Sequence, residues 1–241
     1  MEIFTREKYQ TREEWHKLRG KGIGGSDAGA ILGLSNFKTN TELYREKIDP
    51  NFIPKEEENE FTEYGKNVED PVRKIFTSDY VNSLKVYTTD EVLVRKDKPY
   101  IRASVDGEIE VLEDVFITPY FSKRVGEKID VPCPVKLKKG MRGIYEGKSA
   151  YISNMFASEE WHNKVPEKYF AQVVHYLITT GYDFAVLSAL ITFPNKFHEI
   201  RNYIWLRENI ENDIEYLEDE EDKFWNENVL KKVEPSFKLI F

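Results

Sequence analysis

Two short segments of this chain carry residues that could bind a metal ion and act on a phosphate. Asp106 follows the segment Tyr100–Val105, and Glu146 and Lys148 lie two residues apart within Gly143–Ser149. Side chains alternate between the two faces of a strand, so Glu146 and Lys148 are expected to point the same way. If the strand of Asp106 lies beside them, two carboxylates and an ammonium converge. A hard cation such as Mg²⁺ prefers oxygen ligands of this kind.

The triplet Glu146-Gly147-Lys148 is by itself a weak signal. Charged residues make up 32% of the chain, so an acid and a lysine at this spacing also occur by chance. Such a pair can lie on a solvated strand edge as well as in a metal site. The surrounding sequence has to decide between the two interpretations.

A glycine-rich turn near the N-terminus is a second candidate site. Residues 20–25 match G-x-G-x-x-G, but a charged helix precedes them instead of a buried strand, which argues against a dinucleotide site. Ser26 or Asp27 is instead expected to cap an apolar helix over residues 28–34. Backbone amides at such a helix start can bind a phosphate, or the turn can be a satisfied cap without a ligand.

Hydrophobic periodicity predicts the elements that would position these residues. Residues 61–76 read as a helix, preceded by a Pro- and acid-rich loop over 49–59. Glu69 lies next to the inner face of that helix, where it is either a rim residue or close enough to reach a metal site. The inner face itself is expected to carry Val68, Val72, Ile75 and Phe76.

Short alternating segments between Leu84 and Leu112 predict four strands in an antiparallel meander. The following residues, 113–139, contain three prolines and six lysines or arginines and read as irregular. They could form an inserted arm or hairpin that touches a phosphate backbone, or a solvated loop.

The strongest helix prediction covers residues 166–181, with Pro166 suited to the first turn and Gly181 to the C-terminal end. Its polar stripe faces either solvent or a site. That stripe consists of Lys168, Gln172, His175 and Thr179. A buried strand is predicted next, over 183–192. It is followed by a further strand near 203–206 and a long acidic helix over 208–232. The acids of that last helix are expected on a solvated face.

Composition narrows the class of protein. The 241 residues are 40% hydrophobic and include one cysteine, which excludes a disulfide framework or a four-cysteine zinc site from this chain. We expect a soluble, cytoplasmic protein without a membrane segment. The net charge of −8 argues against nucleic acid as a partner, but residues 123–142 are locally basic while many acids fall within 208–222. A basic surface can bind DNA on an acidic protein.

Several motifs in a shared order, from about Trp15 to Ile191, together resemble the lambda-exonuclease or YqaJ-type viral recombinase family of the PD-(D/E)XK nuclease superfamily. The motifs are Trp15-His-Lys-Leu-Arg19 with Gly-Ile-Gly-Gly-Ser26-Asp-Ala, Tyr64-Gly65 followed by Glu69, Ser104-Val-Asp106-Gly, Glu146-Gly-Lys148, and Glu167-Lys-Tyr-Phe-Ala-Gln172-Val-Val-His-Tyr-Leu with Thr180-Gly181. Their order and spacing carry the resemblance, which covers most of the chain.

The resemblance implies five catalytic residues, namely Asp106, Glu146, Lys148, Glu69 and Gln172. Asp106, Glu146 and the backbone carbonyl of Gly147 would hold Mg²⁺, with Mn²⁺ as a possible substitute. Lys148 would orient or activate the attacking water. Glu69 would support the metal site or a second ion.

Further positions follow from the same resemblance. Gln172 would border the active site, and the terminal 5′-phosphate would be bound by Arg19, Ser26 and Ser104. The gap between Asp106 and Glu146 is longer than in compact members of the family, but loop length costs stability only logarithmically, so the two strands should still pair.

The fold implied is α/β (α+β), a single nuclease domain over 1–241 with a central mixed β-sheet flanked by helices and a restriction-endonuclease-like core. Within it we expect the core over about 12–206, an inserted arm over about 113–141, and the acidic helix over about 207–232.

The function implied is that of a Mg²⁺-dependent 5′-to-3′ exonuclease on double-stranded DNA ends. In phage-type recombination it would leave a 3′ single strand for a single-strand annealing protein, in the cytoplasm of a bacterial host. A ring-shaped homotrimer would encircle the duplex. The alternatives are a related endonuclease or DNA-repair nuclease with the same metal site, and a non-catalytic DNA-binding assembly protein.

Overall fold

A computed structural model describes residues 2–49, 52 and 60–238, so most of the loop expected over 49–59 lies outside the described residues. The helices are α1 (Arg12–Gly20), α2 (Gly25–Leu32), α3 (Asn40–Ile48), α4 (Glu60–Asp79), α5 (Met155–Glu160), α6 (Glu167–Thr180) and α7 (Glu211–Lys223). The strands are β1 (Phe4–Lys8), β2 (Leu84–Tyr87), β3 (Glu91–Arg95), β4 (Arg102–Ala103), β5 (Gly107–Val111), β6 (Val115–Ile117), β7 (Val135–Leu137), β8 (Arg142–Tyr151), β9 (Phe184–Thr192) and β10 (His198–Leu206).

The main sheet has five strands in the order β10-β9-β8-β5-β2. β8 and β9 run parallel, and the other neighbours are antiparallel, so the sheet is mixed. Gly107 of β5 lies opposite Tyr145 of β8, which brings Asp106, the residue before β5, next to Glu146. The expected pairing of these two strands is confirmed despite the long insertion between them.

Helices cover both faces of this sheet. On one face Ile144 and Leu187 are buried with Val174 of α6. On the other face Tyr145 packs against Phe76 of α4, with 5.3 Å between the ring centres. The central mixed sheet flanked by helices is therefore confirmed.

The predicted inner face of α4 is partly wrong. Val72 and Phe76 are buried, but Ile75 is 47% exposed. Neighbouring residues of an α-helix point about 100° apart, so Phe76 and Ile75 face different directions. The buried face of α4 includes Phe76 but not Ile75.

The expected antiparallel meander between Leu84 and Leu112 is only partly confirmed, because β3 and β4 pair antiparallel but β2 and β5 belong to another sheet. β2 pairs with β5 in the main sheet, whereas β3 lies between β1 and β4 in a separate three-stranded sheet. The sequence of β3 explains the difference, because Val92, Leu93 and Val94 are consecutive and all buried. A strand buried on both faces needs cover on each side, which a solvent-backed meander does not supply.

The inserted segment is more ordered than its sequence suggests. β6 and β7 form an antiparallel pair, with residues 118–134 as the irregular stretch between them. That stretch is tied to the loop before α6, where the Ser122 N–H donates to Asn163 Oδ1 at 2.8 Å and Glu127 bonds His162 at 3.0 Å. The segment is a hairpin, and part of it packs against the core.

The C-terminal acidic segment is a 3₁₀ turn (Arg207–Asn209), helix α7 and a π-helical stretch (Phe224–Val229). Its apolar residues face inward as predicted, with Ile214 and Leu217 buried. The expectation that its acids form a solvated face is wrong for Glu221, which is fully buried and bonds His175 Nδ1 at 2.6 Å. Burial of that helix against α6 brings the acid to a histidine partner, which local sequence does not reveal.

None of the described helices combines the length and the apolar composition needed to cross a lipid bilayer.

Candidate functional site

Strand β8 carries the first part of the site. Glu146 and Lys148 lie on the same face of the strand, as predicted, and the Lys148 ammonium donates a hydrogen bond to Glu146 Oε1. Asp106 approaches from the start of β5, and its Oδ2 accepts the Gly147 N–H at 2.8 Å. The structure thus brings together two carboxylates that are 40 residues apart in the sequence, together with the lysine.

Helix α6 lies over this group and adds a second layer of contacts. Gln172 Nε2 donates to Glu146 Oε1 at 2.7 Å and to the Tyr176 hydroxyl at 2.7 Å. Glu146 Oε2 is buried and has no hydrogen-bond partner within the described part of the chain. A buried oxygen without a hydrogen-bond partner lowers the stability of the fold. A ligand bound to this oxygen would remove that cost.

Burial dominates the electrostatics of Glu146, which is 2% exposed. Burial and the nearby charge of Asp106 raise the pKa of Glu146 to about 8. The carboxylates of Glu146 and Asp106 raise the pKa of Lys148 despite its burial, so the ammonium stays charged. A cation bound at this point would offset the repulsion between the two carboxylates.

Glu69 reaches the same place from α4. A Cβ added at Gly147 would lie 3.7 Å from Glu69 Cγ and 3.5 Å from Asp106 Oδ2. Both distances are ordinary van der Waals contacts, so both acids lie directly beside the backbone of β8 at this residue. Glu69 is exposed and lines the same cavity as Asp106 and Glu146, so its role at the metal site stays a prediction.

The expected phosphate-binding residues meet across the cavity. The Arg19 guanidinium donates to Ser26 Oγ, and Trp15 Nε1 donates to Ser104 Oγ at 3.0 Å. The Arg19 guanidinium also lies over the Trp15 ring, 4.6 Å from its centre, with Arg12 at 4.1 Å. One indole thus links residues from α1 and from the segment after β4.

The glycine-rich turn begins its helix earlier than predicted, at Gly25 instead of residue 28. Asp27 lies inside the first turn, where its carboxylate accepts the Gly24 N–H at 3.0 Å and pairs with Lys47 at 2.7 Å. The cap is therefore satisfied within the protein. A Cβ at Gly25 would lie 2.5 Å from the Tyr176 ring, so only glycine allows α2 to start this close to α6.

All eight predicted side chains line one cavity of about 460 Å³. They are Arg19, Ser26, Glu69, Ser104, Asp106, Glu146, Lys148 and Gln172. Trp15 and Tyr176 also line it, and sequence reasoning did not assign a role to either. The spacing of Tyr176, four residues after Gln172 on the same helix face, is a signal that could have identified it.

The donor set fits a hard divalent cation. Across the described residues, no three or more His, Cys, Asp or Glu side chains are grouped as a ready metal site. Mg²⁺ usually keeps several waters and takes only one or two protein carboxylates, so two acids suffice. Asp106, the unpartnered Oε2 of Glu146 and the carbonyl of Gly147 are the groups that could hold it.

Solved structures with a similar fold include the alkaline exonuclease LHK-Exo from Laribacter hongkongensis. Its TM-score is 0.60 at 15% identity, with 92% of this chain and 94% of that chain covered. The same protein in complex with dAMP gives 0.59 at 14% identity over the same shares. At these identities the likeness demonstrates a shared fold.

Sequence comparison defines the family. The uncharacterized protein YqaJ of Bacillus subtilis (strain 168) is 31% identical over 234 residues, which cover 95% of this chain and 60% of that protein. The chain therefore spans only about 60% of the length of this curated relative. Residues 14–183 match the YqaJ-like viral recombinase domain. This chain belongs to the YqaJ-like viral recombinase domain family, as its motifs predict.

Proposed function

We propose that this chain is a metal-dependent nuclease that degrades double-stranded DNA from its ends in the 5′-to-3′ direction. One observation carries the proposal: a group suited to a metal ion and a group suited to a terminal phosphate line the same cavity. The first is the cluster of Asp106, Glu146 and Lys148. The second is the cluster of Arg19, Ser26 and Ser104.

Mg²⁺, or Mn²⁺ in its place, would be held by Asp106, Glu146 and the Gly147 carbonyl. A bound cation of this kind polarises the scissile phosphodiester and lowers the pKa of a bound water. The Asp106 carboxylate is already oriented by the Gly147 N–H, and Gln172 holds the Glu146 carboxylate through Oε1. Side chains that are already held by hydrogen bonds lose little conformational entropy on reaching the transition state, which lowers the barrier.

Lys148 is the residue proposed to act on the reacting groups. Its ammonium remains protonated next to Glu146 and can orient the attacking water or stabilise charge that develops on the phosphate. Water adds to phosphorus and the bond to the 3′ oxygen breaks. The released nucleotide keeps its 5′-phosphate, and the shortened strand carries a new 5′-phosphate.

Arg19, Ser26 and Ser104 are proposed to hold that terminal phosphate. Arginine suits a dianionic phosphate because its guanidinium donates several hydrogen bonds in a fixed geometry. Since every cleavage regenerates a 5′-phosphate, the same group could anchor each new end. Anchoring of each new 5′-phosphate would make the enzyme degrade the strand in the 5′-to-3′ direction.

Two further parts of the proposal rest on the family resemblance. The chain would assemble as a ring-shaped homotrimer around the duplex, and the 3′ single strand would pass to an annealing protein in phage-type recombination. Sedimentation of the purified protein, alone and mixed with a candidate annealing protein, tests both.

The decisive experiment is digestion of linear duplex DNA that has a 5′-phosphate at one end and a 5′-hydroxyl at the other. With Mg²⁺ we expect loss of the strand that carries the 5′-phosphate, no reaction in EDTA, and an intact circular control. Nicking of the circle would point to a related endonuclease. DNA binding without hydrolysis in Mg²⁺ or Mn²⁺ would point to a non-catalytic binding protein.

A further inference from the structure

Lys168 lies where the active-site cavity meets a second cavity. It is on α6, one turn before Gln172, and lines both the active-site cavity and a neighbouring cavity of about 770 Å³. Residues four apart on a helix are neighbours on one face. Lys168 is therefore the next group along the helix from the one that holds Glu146.

The surroundings of Lys168 are unusual for a half-buried lysine. Its ammonium lies 4.4 Å from the centre of the Phe37 ring and 5.3 Å from that of Tyr169. Among the described residues no carboxylate forms an ion pair with it, although the more distant charge of Glu160 acts on it. Burial lowers the pKa of Lys168, which indicates a cation that is only partly compensated.

Phe37 is the aromatic partner of this lysine and faces the cavity. It lies between α2 and α3, is 82% exposed, and its N–H donates to Ser35 Oγ at 3.2 Å. An exposed aromatic ring beside a polar cavity offers a face on which a nucleic-acid base can stack.

We infer that Lys168 and Phe37 form a subsite for an unpaired nucleotide of the substrate strand. The ammonium binds the phosphate of that nucleotide, and the ring stacks on its base. This inference rests on the proposed nuclease function. The second cavity could take the next part of the same strand, because it continues from Lys168. Its polar lining includes Asn36, Lys164, Lys238, Glu160 and Glu167.

The chain contains a matched control for this pair. Phe116 is 61% exposed on β6, and Lys136 lies 6.0 Å from the centre of its ring. Lys136 also forms an ion pair with Asp114 at 2.9 Å, so its charge is compensated. Neither residue lines the active-site cavity.

The test is binding of a short 5′-phosphorylated single strand in EDTA, followed by fluorescence anisotropy. We expect Phe37→Ala and Lys168→Met each to weaken binding about tenfold. Phe116→Ala and Lys136→Met should bind like the wild type. Thermal melting of each variant checks that the fold is kept.

Two further measurements separate the parts of the subsite. Lys168→Met should reduce the slope of log affinity against log salt by about 0.7, whereas Phe37→Ala should not change it. A series of strands would each carry one abasic nucleotide at a different position near the 5′ end. At the position that stacks on Phe37, wild type and Phe37→Ala should bind the strand with the same affinity.

Unchanged affinity in both Phe37→Ala and Lys168→Met would overturn the inference, as would an equal loss in the Phe116→Ala control. Digestion of duplex DNA by the same proteins keeps the two hypotheses apart. If the wild type cleaves and these variants bind and cleave equally well, only the subsite is refuted. If the wild type fails to cleave with metal, the proposed function is what fails.

Discussion

The two halves of the cavity are built differently. The catalytic half, Asp106, Glu146, Lys148 and Gln172, belongs to adjacent strands and the helix directly above them, and Glu146 at its centre is buried. The anchoring half, Trp15, Arg19, Ser26 and Ser104, comes from α1, α2 and the segment after β4. Its members are half-buried or exposed to water.

This difference suggests that one half of the cavity acts on the chemical step and the other on binding of the strand end. Charges in a low-dielectric setting interact strongly, so the catalytic half can stabilise a transition state but tolerates little change. Groups open to water contribute less each and exchange readily with solvent. The anchoring half is therefore suited to selecting and releasing a strand end, and changes there should affect binding more than the chemical step.

The largest effect is expected from Lys148→Ala in the catalytic half. Loss of a charged donor at the reacting group should reduce the cleavage rate about 10³-fold, with DNA affinity in EDTA unchanged. The variant should still fold, because Glu146, with its pKa raised to about 8, stays protonated and neutral near pH 7 without the lysine charge. Single-turnover cleavage and anisotropy measure the two quantities, with Lys231→Ala, an exposed lysine away from both cavities, as a control. A normal cleavage rate would remove Lys148 from the mechanism.

Arg19→Ala should have the next largest effect, and of a different kind. A charge-assisted hydrogen bond contributes about 1.5–3 kcal/mol, which predicts a loss of roughly 10- to 100-fold on 5′-phosphorylated ends. Ends with a 5′-hydroxyl should react at nearly the wild-type rate. Comparing kcat/KM for the two ends tests this. Equal losses on both would show that Arg19 does not recognise the terminal phosphate.

The pH dependence of stability should distinguish the two halves. Glu146 has its pKa raised to about 8 from 4.5, so the folded protein holds a proton that the unfolded chain releases at lower pH. The unfolding free energy of the metal-free protein should therefore fall as pH rises between these values. The slope from this one group is at most about 1.4 kcal/mol per pH unit.

Glu146→Gln should flatten this part of the curve, whereas Ser26→Ala in the anchoring half should leave it unchanged, because serine does not titrate in that range. Denaturant unfolding in EDTA at several pH values gives the slopes. An identical slope in wild type and Glu146→Gln would contradict the assignment of the raised pKa.

The smallest effect is expected from Trp15→Phe. The substitution removes the hydrogen bond to Ser104 Oγ but retains an aromatic ring beneath Arg19. A neutral hydrogen bond contributes about 1 kcal/mol, so KM for 5′-phosphorylated DNA should rise about fivefold with kcat unchanged. A fall in kcat instead would mean that Trp15 supports the catalytic half as well.

Several features of the fold and site followed from the sequence because they depend on local geometry. Strand alternation placed Glu146 and Lys148 on one face, and Pro166 and Gly181 marked the ends of α6 to within one residue. The site residues themselves were predicted through the order of the family motifs. Their meeting in one cavity agrees with that prediction.

Other features were decided by packing between segments that are distant in sequence. The bond from Trp15 to Ser104 spans 89 residues, and the buried contact of His175 with Glu221 spans 46. The separation of β2 and β3 into different sheets likewise depends on which surfaces cover them. Periodicity reports which face of an element is apolar, but not which other element covers it. For that reason the sequence by itself determined most of the elements and the reactive residue types, whereas only the tertiary structure decided their partners and paired β6 with β7.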